Sequence, residues 1–141
     1  MGLKYILDGL NAERILIAAE CIGDGYWFVE KASRYASERV VFERPIGKNQ
    51  AIQHPLAESW MALEAANLMT FKAAWLYDQG RECGAEANMA KMLAADASFE
   101  AANACIQTHG GFGFAEEYDV ERKFRETRLY QVAPKIGRAH V

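Results

Sequence analysis

The sequence predicts an all-α protein, an antiparallel four-helix bundle. Apolar residues recur at helical spacing along three long stretches, the breakers between them are few, and no stretch alternates with the period of a strand. Of the 141 residues, 51% are hydrophobic and 25% charged, the balance of one globular domain large enough to bury a core.

Met1 to Leu10 is short and mixed, and reads as a lead-in from an upstream segment. Asn11 is a candidate N-cap, and a first helix is expected from Ala12 to about Arg39 on the stripe Ile15, Leu16, Ala19, Ile22, Tyr26, Val29 and Ala32. Gly23 and Gly25 interrupt that stripe. Glycine costs a helix about 1 kcal/mol, so both are expected at a close helix–helix contact. Pro45 and Gly47 break the chain between Val40 and Asn49. A second helix is expected from about Gln50 to Gln79, with Pro55 near its start and Leu56, Trp60, Leu63, Asn67, Phe71, Ala74 and Tyr77 as its core stripe. Gly80 stops it. A third helix runs from about Ala85 to His109 on Met89, Met92, Leu93, Asp96, Phe99, Asn103 and Ile106. Gly110, Gly111 and Gly113 form a turn, and a shorter fourth helix begins behind Asp119, a good N-cap residue. Links are expected near 40–49, 80–84 and 110–119, with no sheet.

Several classes of function drop out. A net charge of −3 offers no electrostatic footprint for nucleic acid. No apolar run reaches membrane-spanning length, and Met1 to Leu10 lacks a signal-peptide pattern, so a cytoplasmic protein is expected. Cys21, Cys83 and Cys105 sit far apart on helical patterns and read as buried free thiols. His54 and His109 stand outside any Glu-x-x-His pair, which argues against a bundle metal site. The glycines at 110, 111 and 113 follow a helix rather than a strand, so they are no dinucleotide fingerprint. The last residues, Ile136 to Val141, back-translate to a common sequencing-adapter read. The natural domain is therefore expected to span 1–135, with 136–141 as a non-native tail.

The informative strings are IQTHGGFGFAEEYDVERKFRETRLY, from Ile106 to Tyr130, and RYASERVVFERPIGKNQAIQHPLA, from Arg34 to Ala57. The first resembles the C-terminal signature of the acyl-CoA dehydrogenases, a family of FAD enzymes. The second resembles the segment that joins the first two helices of that family's C-terminal bundle. The resemblance implies FAD-binding roles for Arg39, Phe42 and Gln50 in the second string and for Gln107, Gly110 and Gly111 in the first. It also implies that these residues reach a flavin bound mainly by a neighbouring subunit, hence a homodimer or homotetramer. Paired guanidinium donors suit a pyrophosphate. Glu43 departs from the family, which usually has glycine there. Arg125 and Arg128 are expected in structural ion pairs.

The family's usual catalytic Glu, just after the final Arg-x-Tyr run, is replaced here by Pro134. A minority of members carry it instead in Leu-x-x-Glu-Arg at the start of the first bundle helix. Leu10 to Arg14 reads LNAER, which makes Glu13 the expected base and Arg14 a substrate-binding residue. The resemblance thus implies α,β-dehydrogenation of an acyl-CoA with electrons passed to an electron-transfer flavoprotein. It covers only the last of the family's three domains. The alternative is a helical-bundle oligomerisation module without catalysis, a reading to which Glu43 and Pro134 lend weight.

Overall fold

The computed structural model describes residues 2–133, so Pro134 and the expected tail lie outside the described residues. Four helices form: α1 (Gly2–Glu38), α2 (Gln50–Asp78), α3 (Gly84–His109) and α4 (Val120–Val132). Gly84 at the start of α3 lies beside Asn11 of α1, and Tyr35 near the end of α1 stacks on His109 at the end of α3. α1 and α3 therefore run parallel and pack directly on each other, with α2 and α4 antiparallel to them. α3 is the central element and packs on all three others.

The helix boundaries follow the breakers. Gly80 and Gly110 adopt positive φ of 64° and 59°, backbone that ends a helix at little cost only for glycine. The start of α1 is a correction. The helix begins ten residues before the expected Ala12, and Asn11 is interior to it. Nothing before Asn11 is a strong enough breaker, since a single Gly9 costs only about 1 kcal/mol. Leu3, Tyr5 and Ile6 on this overhang are exposed.

A second correction concerns sheet. Val40–Val41 (β1) and Arg44–Pro45 (β2) pair antiparallel, Val41 opposite Arg44. Two-residue strands are too short to show alternation in sequence. Phe42 and Glu43 make the connecting turn with φ of 51° and 64°, the double left-handed geometry of a tight hairpin that favours glycine. A side chain there costs about 1 kcal/mol or more. Glu43→Gly is accordingly expected to stabilise the fold by about 1 kcal/mol, read by chemical denaturation; an unchanged midpoint would mean the turn is unstrained.

The core stripes also differ from expectation. On α3 the buried face is Ala87, Ala90, Ala94, Ala101, Ala102 and Cys105, while Met89, Met92 and Leu93 are exposed. On α2 Leu56, Ser59, Leu63, Ala66, Thr70, Ala73 and Leu76 face inward, leaving Trp60, Phe71 and Tyr77 outside. On α1 Arg14, Ala18, Cys21, Gly25 and Phe28 join Ile22, Val29 and Ala32, and Leu16 points out. Alanine and glycine let helix axes approach closely, so the small residues take the centre. Gly25 does mark a close contact: a Cβ there would lie 2.2 Å from Leu63 Cδ2. Gly23 does not, because a Cβ there would meet nothing within 4 Å.

α4 packs Val120, Phe124 and Tyr130 against the core and is fastened by polar bonds as well. Ser98 and Thr127 share a buried hydroxyl–hydroxyl bond of 2.6 Å, Gln131 donates to Asp96 at 2.9 Å, and Lys123 pairs with Asp24. Arg125 pairs with Glu121, as expected of a structural ion pair. Arg128 instead donates to Gln131 and lies over the Phe99 ring. Asp119 starts α4 from a left-handed φ of 61° without a side-chain cap bond, its carboxylate taken by Arg122.

Candidate functional site

A groove of about 470 Å³ opens where α1 and α3 end together. Arg39, Tyr35, His109, Gly110, Gly111 and Phe112 line it. The double glycine creates this end. Gly110 needs its positive φ to leave α3, and the chain then winds a 3-10 turn from Gly110 to Phe114. Gly113 seats that turn, because a Cβ there would press to 3.0 Å from the Ile106 carbonyl oxygen. Gly111 is different. Its φ is not positive and an added Cβ would meet nothing, so the chain's own packing does not require glycine at this position.

Arg39 lies over the Phe112 ring, 5.5 Å from its centroid, and among the described residues no carboxylate pairs with it. An exposed guanidinium with no acid, beside glycine backbone, is an anion-ready arrangement. The floor is aromatic: His109 is 3% exposed and stacks on Tyr35 at 4.2 Å, with Tyr118 edge-on to both. His109 Nδ1 donates to the Cys105 carbonyl at 2.8 Å, and Nε2 is buried without a partner. Burial pushes the imidazole below its ordinary value of 6.5, against the pull of the Cys105 bond, and the Lys31 charge pushes the same way as burial. The folded protein thus holds His109 neutral where the unfolded chain would protonate it. Its contribution to stability is complete above about pH 6.5 and is lost as pH falls through the folded value. His109→Phe is expected to flatten that acid slope in a pH series of denaturation curves; an unchanged slope would assign it to other groups.

The sequence-predicted residues divide. Arg39, Gly110 and Gly111 come together in this groove. Gln107 lines a neighbouring cleft of about 990 Å³ bounded by α2, α3 and α4. Phe42 is 94% exposed at the hairpin tip, and Gln50 is exposed at the start of α2, outside both cavities. Glu13 is exposed on α1, and Arg14 beside it is 5% exposed, donating to Asn11 Oδ1 at 3.3 Å. Because α1 starts at Gly2, Glu13 stands three turns inside the helix rather than at its start as expected, and so gains no first-turn dipole support. At 1.5 Å per residue, Glu13 lies about 37 Å from Glu38, at the opposite end of the bundle from the Arg39 groove. Sequence reasoning missed Phe112, Tyr35 and the buried His109. The one available signal was Tyr35 four residues before Arg39, on the same helical face.

Cys21, Cys83 and Cys105 are free and buried, as expected. Burial pushes the Cys21 and Cys105 thiols up to about 12, so both stay protonated and unreactive. Among the described residues no helix is long and apolar enough to cross a membrane.

The class these features define is an up-down four-helix domain with a groove at one end and large apolar side chains on its surface. Residues 1–134 match the family described as acyl-CoA dehydrogenase, C-terminal domain, and the chain belongs to the acyl-CoA dehydrogenase family. It is 44% identical over 135 residues to acyl-CoA dehydrogenase FadE12 of Mycobacterium tuberculosis, covering 94% of this chain and 35% of that one. It is 39% identical over 131 residues to the 3-(aryl)acrylate reductase of Clostridium sporogenes, covering 93% and 35%. The fold superposes on butyryl-CoA dehydrogenase of Megasphaera elsdenii with a TM-score of 0.90 at 32% identity, covering 94% of this chain and 34% of that one. The chain spans about a third of the length of the curated relatives it matches.

Proposed function

We propose that residues 1–135 are the C-terminal helical domain of an FAD-dependent acyl-CoA dehydrogenase whose N-terminal and middle domains lie upstream. The observation that carries this is the groove at the end of α3. Arg39 has no acid partner among the described residues, and Gly111 is a glycine that this chain's packing does not demand. Both suit the pyrophosphate half of FAD, with Arg39 supplying charge and Gly110 and Gly111 leaving the backbone open to it. Phe42, Gln50 and Gln107 complete the proposed contacts from the hairpin tip, the start of α2 and the adjacent cleft.

FAD, when bound, supplies the acceptor for the substrate's β-hydride. This chain's part is to take the α-proton of an acyl-CoA thioester, the role proposed for Glu13. Its exposure leaves the carboxylate reachable, and the buried Arg14, with no carboxylate partner among the described residues, supplies positive charge near the substrate. The placement of Glu13 and the Arg39 groove at opposite ends of the bundle supports roles at two different flavins, the groove serving a neighbouring subunit's. Exposed Trp60, Phe71, Trp75, Met92 and Leu93 support burial in a homodimer or homotetramer. Electron-transfer flavoprotein is the proposed electron acceptor, fatty-acid metabolism the setting, and the cytoplasm, with its reduced thiols, the compartment.

The exposed apolar faces and the strained Glu43 turn also fit a domain kept only for assembly. Anaerobic addition of acyl-CoAs to the full-length protein separates the two. The enzyme is yellow and bleaches; a colourless protein, or a flavin unmoved by every acyl-CoA, would leave only the assembly role.

A further inference from the structure

We propose that Phe112 is a positioning residue for Arg39, holding its guanidinium over the groove before the cofactor arrives. This rests on the reading of Arg39 as a pyrophosphate ligand. Arginine is a long side chain that loses rotamer freedom on binding, so a partner that fixes it beforehand lowers that cost. Among the described residues the partner of Arg39 is a ring rather than a carboxylate. An acid would hold Arg39 equally well but would compete with the phosphate for its charge and its N–H donors. The Phe112 ring attracts the cation through its face and uses no donor.

The fold fixes that ring from several sides. The positive φ of Gly110 turns the chain out of α3, and Gly113 packs on the Ile106 backbone, so the turn carrying Phe112 has little freedom. Tyr118 meets the ring at 5.5 Å between centroids, and Tyr118 in turn rests on the His109–Tyr35 stack. The Arg39 backbone is held as well: its N–H donates to the Tyr35 carbonyl and its carbonyl accepts from Ile46. Phe112 is half-exposed, so its ring is presented to the groove rather than consumed by the core. Each end of the Arg39–Phe112 contact is thus anchored independently.

The test uses the full-length enzyme, stripped of FAD and titrated with it by flavin fluorescence. Phe112→Ala and Phe112→Leu are each expected to raise the FAD Kd about fourfold, the fold-change of an exposed cation–π contact. Phe112→Tyr should restore binding to within about twofold, because it keeps the ring face. In an Arg39→Ala background, Phe112→Leu should cost nothing further, since nothing is left to position. If Phe112→Leu binds FAD as the parent does, bulk suffices and the inference fails. If its loss persists in the Arg39→Ala background, Phe112 acts on the fold or on the cofactor itself, and the inference again fails. If Arg39→Ala leaves the FAD Kd unchanged, the cofactor reading of Arg39 falls and takes the inference with it.

Discussion

Glu13→Gln in the full-length enzyme is expected to leave FAD bound and to slow flavin bleaching by acyl-CoA by at least about 100-fold, the lower range for loss of a general base. Glutamine has nearly the same shape as glutamate but cannot accept the α-proton. Binding should survive because Glu13 is remote from the groove assigned to the cofactor. The structure removes one support from this assignment and adds another. Three turns into α1, Glu13 has no helix terminus to stabilise its carboxylate. It does have Arg14 next to it, buried with a neutral asparagine as its hydrogen-bond partner and no carboxylate among the described residues. A buried cation without an acid is costly, and a substrate carrying negative charge would relieve it. Stopped-flow bleaching at saturating acyl-CoA measures the effect. An unchanged rate would move the base elsewhere and leave Glu13 as a surface residue of α1.

The largest expected effect on stability is at the crossing of α1 and α2. Leu63→Ala should cost about 3 kcal/mol, because Leu63 is fully buried and packs onto a glycine that offers nothing to fill the void. Gly25→Ala approaches the same contact from the other side. Its Cβ would meet three atoms of Leu63 at 2.2, 3.0 and 3.1 Å, so the whole isobutyl group must shift inside a closed core. Overpacking of this kind costs about 1–3 kcal/mol, offset by up to about 1 kcal/mol of improved helix propensity. The double variant Gly25→Ala, Leu63→Ala should be more stable than the sum of the two losses implies, since each change relieves the other. Denaturation curves of the four proteins measure the coupling; strict additivity would show that the crossing has slack.

The bundle was legible where a single residue type forces the backbone. Gly80 and Gly110 ended helices as read, and the links around 40–49, 80–84 and 110–119 fell as expected. Phase was less legible. α2 and α3 carry apolar residues on more than one face, and size, not hydropathy, chose which face went inside: Ala90 and Ala94 over Met89 and Leu93. Local pattern cannot register that choice, because it depends on how near the next helix comes. The start of α1 was hidden for the opposite reason. Nothing packs on the overhang, so no periodicity marked it, and only Gly9 and Asn11 were left to read. Of the residues proposed from the two strings, Arg39, Gly110 and Gly111 line one groove because α1 and α3 end at the same level. The placement of Phe112 and His109 in this groove was not legible, because it comes from a stack of rings that joins α1 to the turn after α3, which no linear spacing reports.

The length of α1 has a genetic consequence. A rigid helix keeps Glu13 about 37 Å from Glu38, the residue before Arg39, in every copy of the chain, so under the shared-site reading each copy holds halves of two different centres. A dimer of one Glu13→Gln subunit and one Arg39→Ala subunit then gathers both lesions into one centre and leaves the other whole. Two alleles that are each inactive alone would complement one another in the same cell, whereas two alleles that both alter Glu13 would not.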